Sequence, residues 1–275
     1  MSGDRAALAE LASLAEHAAR AAGDLVRDQR PEDLSVSATK TSPTDVVTAM
    51  DTAAEALLAD VLLSGRPEDG LLGEEGGLRP GTSGLTWVVD PIDGTVNYLY
   101  GIPAYAVSVA VVEGEPEPRA WRVLAACVHN PSSGETWTAT LGGGARLDGR
   151  AVGGPGSPPL SGALVGTGFG YTTERRRRQG EVVAALLPQV RDIRRAGSAA
   201  LDLCAVASGR LDAYYERGLQ PWDLAAGGLV AAESGASVTG LAGLDADESM
   251  VVAARGDLAR ELSLALTALD AAADS

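Results

Sequence analysis

The sequence predicts a layered protein of mixed α+β and α/β character, and three observations carry that expectation. The first half holds strand-like runs separated by Gly and Pro turns, which suggests a mostly antiparallel sheet. The second half alternates strands with helices, the pattern of an α/β unit. Between them "VGGPGSPPLSG", residues 152 to 162, is the clearest break in composition. Residues 1–155 are therefore read as an N-terminal α+β domain and residues 156–275 as a C-terminal α/β domain. A chain of 275 residues suits two domains of ordinary size or one large one. Hydrophobic residues make up 45% and there is one Phe, so the core must be built from small aliphatic side chains. Neither a disulfide framework nor a structural metal is needed to bury such a core.

Leu8, Leu11, Leu14, Ala15, Ala18, Ala22 and Leu25 recur at helical spacing and predict a first helix. A second is expected over Thr44 to Leu63, with Val46, Val47, Met50, Ala54, Leu57, Leu58 and Val61 on one stripe. The polar segment "SVSATKTSPTD" between them suggests a loop or hairpin. Strands are expected at Leu85 to Asp90, Ala104 to Glu113, Trp121 to His129 and Glu135 to Ala139. Beyond the break come a strand at Ala163 to Thr167, a helix near Thr173 to Leu187 and a strand at Asp192 to Arg195. A helix at Ser198 to Ser208, a short strand at Leu211 to Tyr214 and a helix at Trp222 to Ser234 follow. The chain closes with strands at Ala236 to Thr239 and Met250 to Ala253 and a helix from Asp257.

A net charge of −15 argues against a nucleic-acid partner, which calls for a basic surface, and disfavours anionic membranes. An acidic protein that handles an anionic substrate must supply local positive charge, and metal ions are one way to do so. The one basic run, Arg175 to Arg178, reads as a solvated loop or helix start rather than a binding patch. Cys127 and Cys204 lie in apolar sequence and read as buried free thiols in a reducing compartment. The N-terminus lacks the apolar core of a signal peptide, and no stretch approaches the roughly 18 uninterrupted apolar residues of a membrane span. A cytoplasmic protein is expected. His17 and His129 read as structural or surface residues.

The most informative stretch is "WVVDPIDGTVNY", residues 87 to 98. An apolar strand ends in Asp90 and Asp93, separated by a Pro-constrained turn. Such an end can aim two carboxylates and the Ile92 carbonyl at one point, the oxygen donors that hard divalent cations take. Gly94 and Thr95 then open a short helix whose first N–H groups suit a phosphate. The stretch alone also fits an Asx turn with Asp93 capping the helix. "LLGEEG" places Glu74 and Glu75 after another apolar run, where they can equally be solvated carboxylates. "PWDLAAGGLVAAESG" puts Asp223 at a helix start, where it also suits the helix dipole. Asp51 falls in the second helix, six residues after Asp45.

Together, "GEEG", "WVVDPIDGTVNY" and "PWDLAAGGLVAAESGA" resemble, in order and spacing, the inositol monophosphatase family of Mg²⁺-dependent, Li⁺-sensitive sugar-phosphate phosphatases. "KTSPTDVVTAMD" and "AGSAALDLCAVASGRLDAYYE" are similar to its N-terminal and C-terminal elements. The resemblance implies a five-layered α/β/α/β/α sandwich. It implies that Glu74, Asp90 and the Ile92 carbonyl hold one Mg²⁺, that Asp90, Asp93 and Asp223 hold a second, and that a third sits near Glu74. It also implies that Asp51 and Thr95 position and deprotonate the attacking water and that Gly94 and Thr95 donate backbone N–H bonds to phosphate. Lys40 matches a lysine near the third metal and the phosphate. Gly197, Ser198, Ala199 and Glu216 match positions lining the sugar pocket, with Glu216 accepting bonds from ring hydroxyls. Tyr214 and Tyr215 read as core. Gln220 stands where some inositol phosphatases carry a histidine. The implied substrate is a small polyol phosphate monoester, foremost myo-inositol monophosphate. Histidinol phosphate, fructose 1,6-bisphosphate and 3′-phosphoadenosine 5′-phosphate are alternatives within the enzyme class. Some bacterial relatives have roles with the transcription machinery, which supplies a reading of a different class. A homodimer is expected from the resemblance alone.

Overall fold

The computed structural model describes residues 2–31, 38–39, 46–154 and 156–273. Its first helix, α1 (Ser2–Asp28), buries Leu11, Ala15, Ala18, Ala22 and Val26 on one stripe. The predominance of Ala on that stripe lets the helix lie close against the sheet beneath it.

The second helix starts later than its apolar pattern suggests. Val46–Val47 form a short strand, β2, paired antiparallel with β1 (Ala38–Thr39). Thr48 then caps α2 (Ala49–Ser64), accepting from Met50 N at 3.2 Å, while Asp51 accepts from Thr48 N at 2.8 Å. This reciprocal capping box fixes the helix start, and the β-branched valines before it take extended backbone instead. The segment expected as a loop or hairpin contributes β1, which pairs with β2 just beyond it. Lys40 and Asp45 lie outside the described residues.

Strand β5 (Leu85–Asp93) is central to an eight-stranded sheet. It pairs in parallel with β3 (Gly70–Gly73), which turns back antiparallel into β4 (Gly77–Arg79). On its other side β5 pairs antiparallel with β6 (Ala106–Gly114), which continues through β7 (Trp121–His129), β8 (Thr136–Thr140), β9 (Gly144–Leu147) and β10 (Arg150–Ala151). The mostly antiparallel character follows the sequence pattern, whereas β4 and β10 are short and exposed and leave no apolar signature.

A five-stranded sheet comes from the second half. Its β11 (Leu164–Thr167) pairs in parallel with β12 (Asp192–Arg194) and β13 (Ala213–Glu216). Its β15 (Val251–Ala254) runs antiparallel to β13 and to β14 (Ser237–Thr239).

Period-two alternation divides each sheet between two helical layers. Val107, Val109 and Val111 of β6 pack with Trp87, Val89 and the buried faces of α1 and α2. Ala106, Ala110 and Val112 face the other way, onto Ala200 and Cys204 of α5 (Ala199–Ala207) and Ala225, Ala226 and Val230 of α6 (Pro221–Glu233). The opposite faces of α5 and α6 bury Leu203, Val206 and Ala231 against Tyr214, Val251 and Ala253 of the smaller sheet. That sheet's far side packs Val165, Val252 and Ala254 on Val182 and Leu186 of α4 (Thr173–Leu186) and Leu258, Leu262 and Leu266 of α7 (Gly256–Ala268). The order is helix, sheet, helix, sheet, helix: the expected five-layered α/β/α/β/α sandwich. Helices α5 and α6 touch both sheets, so the ends of both sheets come near their N-termini.

Candidate functional site

The end of β5 is where chemistry-bearing residues gather. Its pairing with β6 is interrupted between Asp90 and Asp93, a bulge that re-aims both side chains. Asp90 Oδ1 accepts from Ile92 N at 2.9 Å, so the Asx turn open from sequence is real and belongs to Asp90. Asp93 does not cap the helix that follows it. Its carboxylate reaches across to α5, accepting from Ser198 Oγ at 2.6 Å, Ala200 N at 2.7 Å and Ala199 N at 3.3 Å. Ser198 is therefore buried against Asp93, away from the cleft that Gly197 and Ala199 line. Asp223, in the first turn of α6, accepts from Gln220 N at 2.7 Å.

Asp90, Asp93 and Asp223 each place one carboxylate oxygen within 4.8 Å of the others. Burial raises the pKa of all three; Glu74 is the largest charge acting on Asp90, and Asp93 the largest acting on Asp223. Hydrogen bonds from Ser198 and Ala200 oppose the rise at Asp93. Glu74, on the turn between β3 and β4, lines the same cleft as Asp93 and Asp223 but stands outside the three-carboxylate group. All these donors are oxygens, a set that fits hard divalent cations.

The turn bearing Glu74 is held by a residue that sequence reasoning missed. Glu55 lies one helical turn beyond Asp51 on α2 and accepts from Glu75 N at 2.8 Å and Gly76 N at 2.7 Å. A Cβ at Gly73 would sit 2.4 Å from that carboxylate, so a larger residue there would displace the Glu55 side chain from the turn. The available signal was a glutamate embedded among the buried Ala54 and Leu58.

Asp51 also faces the site. Thr95 Oγ1 lies 3.0 Å from Asp51 Oδ1 and 3.0 Å from the Ile92 carbonyl. Burial raises the pKa of Asp51, against the opposing bonds from the Thr48 hydroxyl and N–H. Gly94 precedes the short helix α3 (Thr95–Tyr100) with φ at +102°, and a Cβ there would meet Ala104 O at 2.9 Å and Gly197 O at 3.1 Å. Both the left-handed backbone and the close approach require glycine. Asn97 Nδ2 donates to Ala104 O at 2.7 Å and Ala196 O at 2.8 Å, clamping the 196–197 segment beside Gly94.

The cleft occupies about 580 Å³ and includes Glu216 at the end of β13. The Tyr214 hydroxyl donates to Glu216 Oε2 at 2.5 Å, and burial holds the Glu216 pKa up at about 7. Arg210, six residues before Glu216, pairs with Glu135 instead. Tyr214 and Tyr215 are buried, as expected. Asp202 on α5 is also buried, its pKa raised to about 8 by burial and then by Glu216 and Asp93. The basic run divides: Arg177 and Arg178 pair with Glu181, while Arg175 lines the cleft.

The model of the inositol monophosphatase family matches residues 7–271. The chain belongs to the inositol monophosphatase family. It is 47% identical to the inositol-1-monophosphatase SuhB of Mycobacterium tuberculosis over 282 aligned positions, covering 94% of this chain and 93% of that protein. It is 38% identical to the Nus factor SuhB of Escherichia coli, covering 84% of this chain and 85% of that one. The solved structure of Mycobacterium tuberculosis SuhB superposes with a TM-score of 0.80 at 46% identity, covering 96% and 98% of the two chains. The inositol monophosphatase of Anabaena does so with a TM-score of 0.81 at 29% identity, covering 95% and 96%. The chain is thus an enzyme of a phosphatase family. Among the described residues no helix is long and apolar enough to cross a membrane.

Proposed function

We propose that this family member hydrolyses a small polyol phosphate monoester, foremost myo-inositol monophosphate, by direct attack of a water activated at two to three Mg²⁺ ions. The observation that carries the metal dependence is the convergence of Asp90, Asp93 and Asp223 within 4.8 Å. Three carboxylates so close, two buried and one half-buried, repel one another, and cations relieve that repulsion. On this reading Glu74, Asp90 and the Ile92 carbonyl hold one ion, Asp90, Asp93 and Asp223 a second, and Glu74 borders a third. When bound, the ions screen the phosphate dianion, lower the pKa of a coordinated water and stabilise the leaving alkoxide.

The chain's own residues do the rest. The Thr95 hydroxyl donates to Asp51 and keeps a lone pair for a proton of the attacking water, so Asp51 is the final acceptor through Thr95. Gly94 and Thr95 offer backbone N–H groups to the phosphate oxygens. Glu216, oriented by Tyr214, accepts bonds from ring hydroxyls, with Gly197 and Ala199 lining the same wall.

The same reading takes the chain as two domains, residues 1–155 and 156–275, joined through Asp93 and the N-terminus of α5. It takes the protein as a cytoplasmic homodimer, in keeping with two free, buried cysteines. The name Nus factor, borne by some relatives, suggests a transcription role as a second reading; the acidic composition of this chain favours the small-molecule substrate.

The test is phosphate release from myo-inositol 1-phosphate and a panel of phosphate monoesters, with Mg²⁺ and with a chelator. Hydrolysis that requires Mg²⁺ and is inhibited by Li⁺ at high Mg²⁺ is expected. Hydrolysis indifferent to the chelator would refute the metal assignment. Absence of hydrolysis across the panel in Mg²⁺ would favour the binding-partner reading.

A further inference from the structure

Glu216 enters the cleft from β13, and the strand beside it is built around that side chain. β11 and β13 run parallel, with Gly166 opposite Tyr214 and Thr167 opposite Tyr215. Side chains alternate along a strand, so Tyr214 and Glu216 share one face of β13. It is the face turned toward α5 and α6, where Tyr214 packs with Leu203 and Val206. Val165 of β11 points the other way, toward α4 and α7. In the run "VGTGFG", residues 165 to 170, the positions that share the face of Tyr214 and Glu216 are therefore Gly166 and Gly168. Beside an aromatic ring and a carboxylate, β11 presents no side chain at all.

The backbone does not ask for this. Neither Gly166 nor Gly168 is among the glycines with positive φ, so both adopt conformations open to other residues. What excludes a side chain is the neighbouring strand. A Cβ at Gly166 would lie 2.7 Å from Leu211 Cδ1 and 3.2 Å from Tyr214 Cδ2. A Cβ at Gly168 would overlap Glu216 Cδ, Oε1 and Oε2, and these are its three nearest atoms. The space left by Gly168 is thus occupied by the Glu216 carboxylate, which the Tyr214 hydroxyl holds at 2.5 Å from Oε2. Gly168 and Glu216 both line the cleft.

We propose that Gly168 is a specificity-determining residue: it is the seat on which the Glu216 carboxylate is held for the hydroxyls of the polyol. This rests on the polyol phosphatase reading above and adds the residue that sets the depth of its polyol end. A methyl group at Gly168 would meet only the tip of a flexible side chain. The strand can accept it, and the carboxylate moves off β11, away from the Tyr214 hydroxyl and from the place where ring hydroxyls meet it.

The test is a double-mutant cycle on myo-inositol 1-phosphate in Mg²⁺, with wild type, Gly168→Ala, Glu216→Asp and the double variant. Asp is one methylene shorter and withdraws the carboxyl toward β13, off Gly168. Gly168→Ala should raise KM about tenfold, the size of one charge-assisted bond, and act through KM rather than kcat. Glu216→Asp should also raise KM, but adding Gly168→Ala to it should raise KM by less than about twofold more, because the overlap is gone. Two increases that multiply in the double variant would overturn the seat, since a strand merely weakened by the methyl group gives that result. A KM for Gly168→Ala within about twofold of wild type would overturn it as well. If circular dichroism shows Gly168→Ala unfolded, a folded double variant supports the seat and an unfolded one overturns it. If wild type releases no phosphate from this ester, the phosphatase reading falls, and equilibrium dialysis of the ester with the four proteins decides instead. The same pattern in Kd then supports the seat, and multiplying losses or no retention by wild type overturn it.

Discussion

Replacing Asp93 by Asn separates its two jobs, metal ligand and clamp on α5. In metal-free protein two effects oppose each other. The carboxylate accepts three bonds from the start of α5, and an amide keeps only one acceptor oxygen. Losing one bond to a charged group destabilises by about 1.5–3 kcal/mol. Against this, Asp93 has carboxylate neighbours within 4.8 Å, where two charges repel by about 3.5 kcal/mol at an effective dielectric of 20. Burial and neighbouring carboxylates raise the pKa values of Asp90 and Asp223, which acts to lessen that repulsion. The opposing effects are of similar size, and the metal-free melting temperatures of wild type and Asp93→Asn should be close. Mg²⁺ breaks the tie. At a hundredfold excess over Kd it stabilises wild type by about 2.7 kcal/mol, a rise of roughly 5–10 °C for a chain of this size. In Asp93→Asn a carboxylate ligand is gone and most of that rise should disappear, together with phosphate release. Asp93→Ala, which loses every bond to α5, should melt below Asp93→Asn without metal. Asp223→Asn should lose the Mg²⁺-induced rise in the same way, although 130 residues separate the two positions in sequence. The assay is thermal unfolding with chelator and across a Mg²⁺ series, alongside phosphate release. An Asp93→Asn protein that keeps the full Mg²⁺-induced rise and wild-type turnover would refute the ligand assignment.

Glu216→Gln should lower kcat/KM for inositol phosphate by about ten- to a hundredfold while leaving an aryl phosphate without hydroxyls nearly unaffected. Equal losses on both esters would mean that Glu216 supports the metal site or the fold instead. Glu55→Ala strands the N–H groups of Glu75 and Gly76, so the Mg²⁺ concentration for half-maximal activity should rise about tenfold, with Glu55→Gln intermediate. An unchanged Mg²⁺ requirement in Glu55→Ala would show that the Glu74 turn holds itself. Asp202 has an ordinary pKa of 3.8 and a folded value of about 8, so the folded chain binds the extra proton between them. Its favourable contribution is complete below the ordinary value and is lost as pH rises through about 8. Chelator-treated Asp202→Asn should therefore gain urea resistance over wild type as pH rises toward 8, and a difference independent of pH would contradict that sign.

Local rules determined much of this protein before any contact was considered. Leu11, Ala15, Ala18 and Ala22 recur at the helical period, so a helix with one buried face was legible from spacing alone. The apolar runs of β5, β6 and β7 and the alternation after residue 163 conveyed two kinds of sheet in the same way. The family resemblance carried by the motifs around Glu74, Asp90, Asp93 and Asp223 marked these four as candidate metal ligands, and the structure brings the last three together. What the tertiary structure decided concerns partners distant in sequence. Whether Asp93 caps its own helix or another depends on where α5 begins, and α5 arrives there only because its apolar faces are sandwiched between the sheets. Glu55 looked like one charge on a helix until the β3–β4 turn was folded over it. Arg175 was indistinguishable from Arg176, Arg177 and Arg178 in a run of four. The pitch of α4 turns Arg175 into the cleft, while Arg176, Arg177 and Arg178 find their partners on other faces. Periodicity is a property of neighbours along the chain and can be read from it. The partner of a polar side chain is set by which apolar faces pack together, and that is settled only when the layers close.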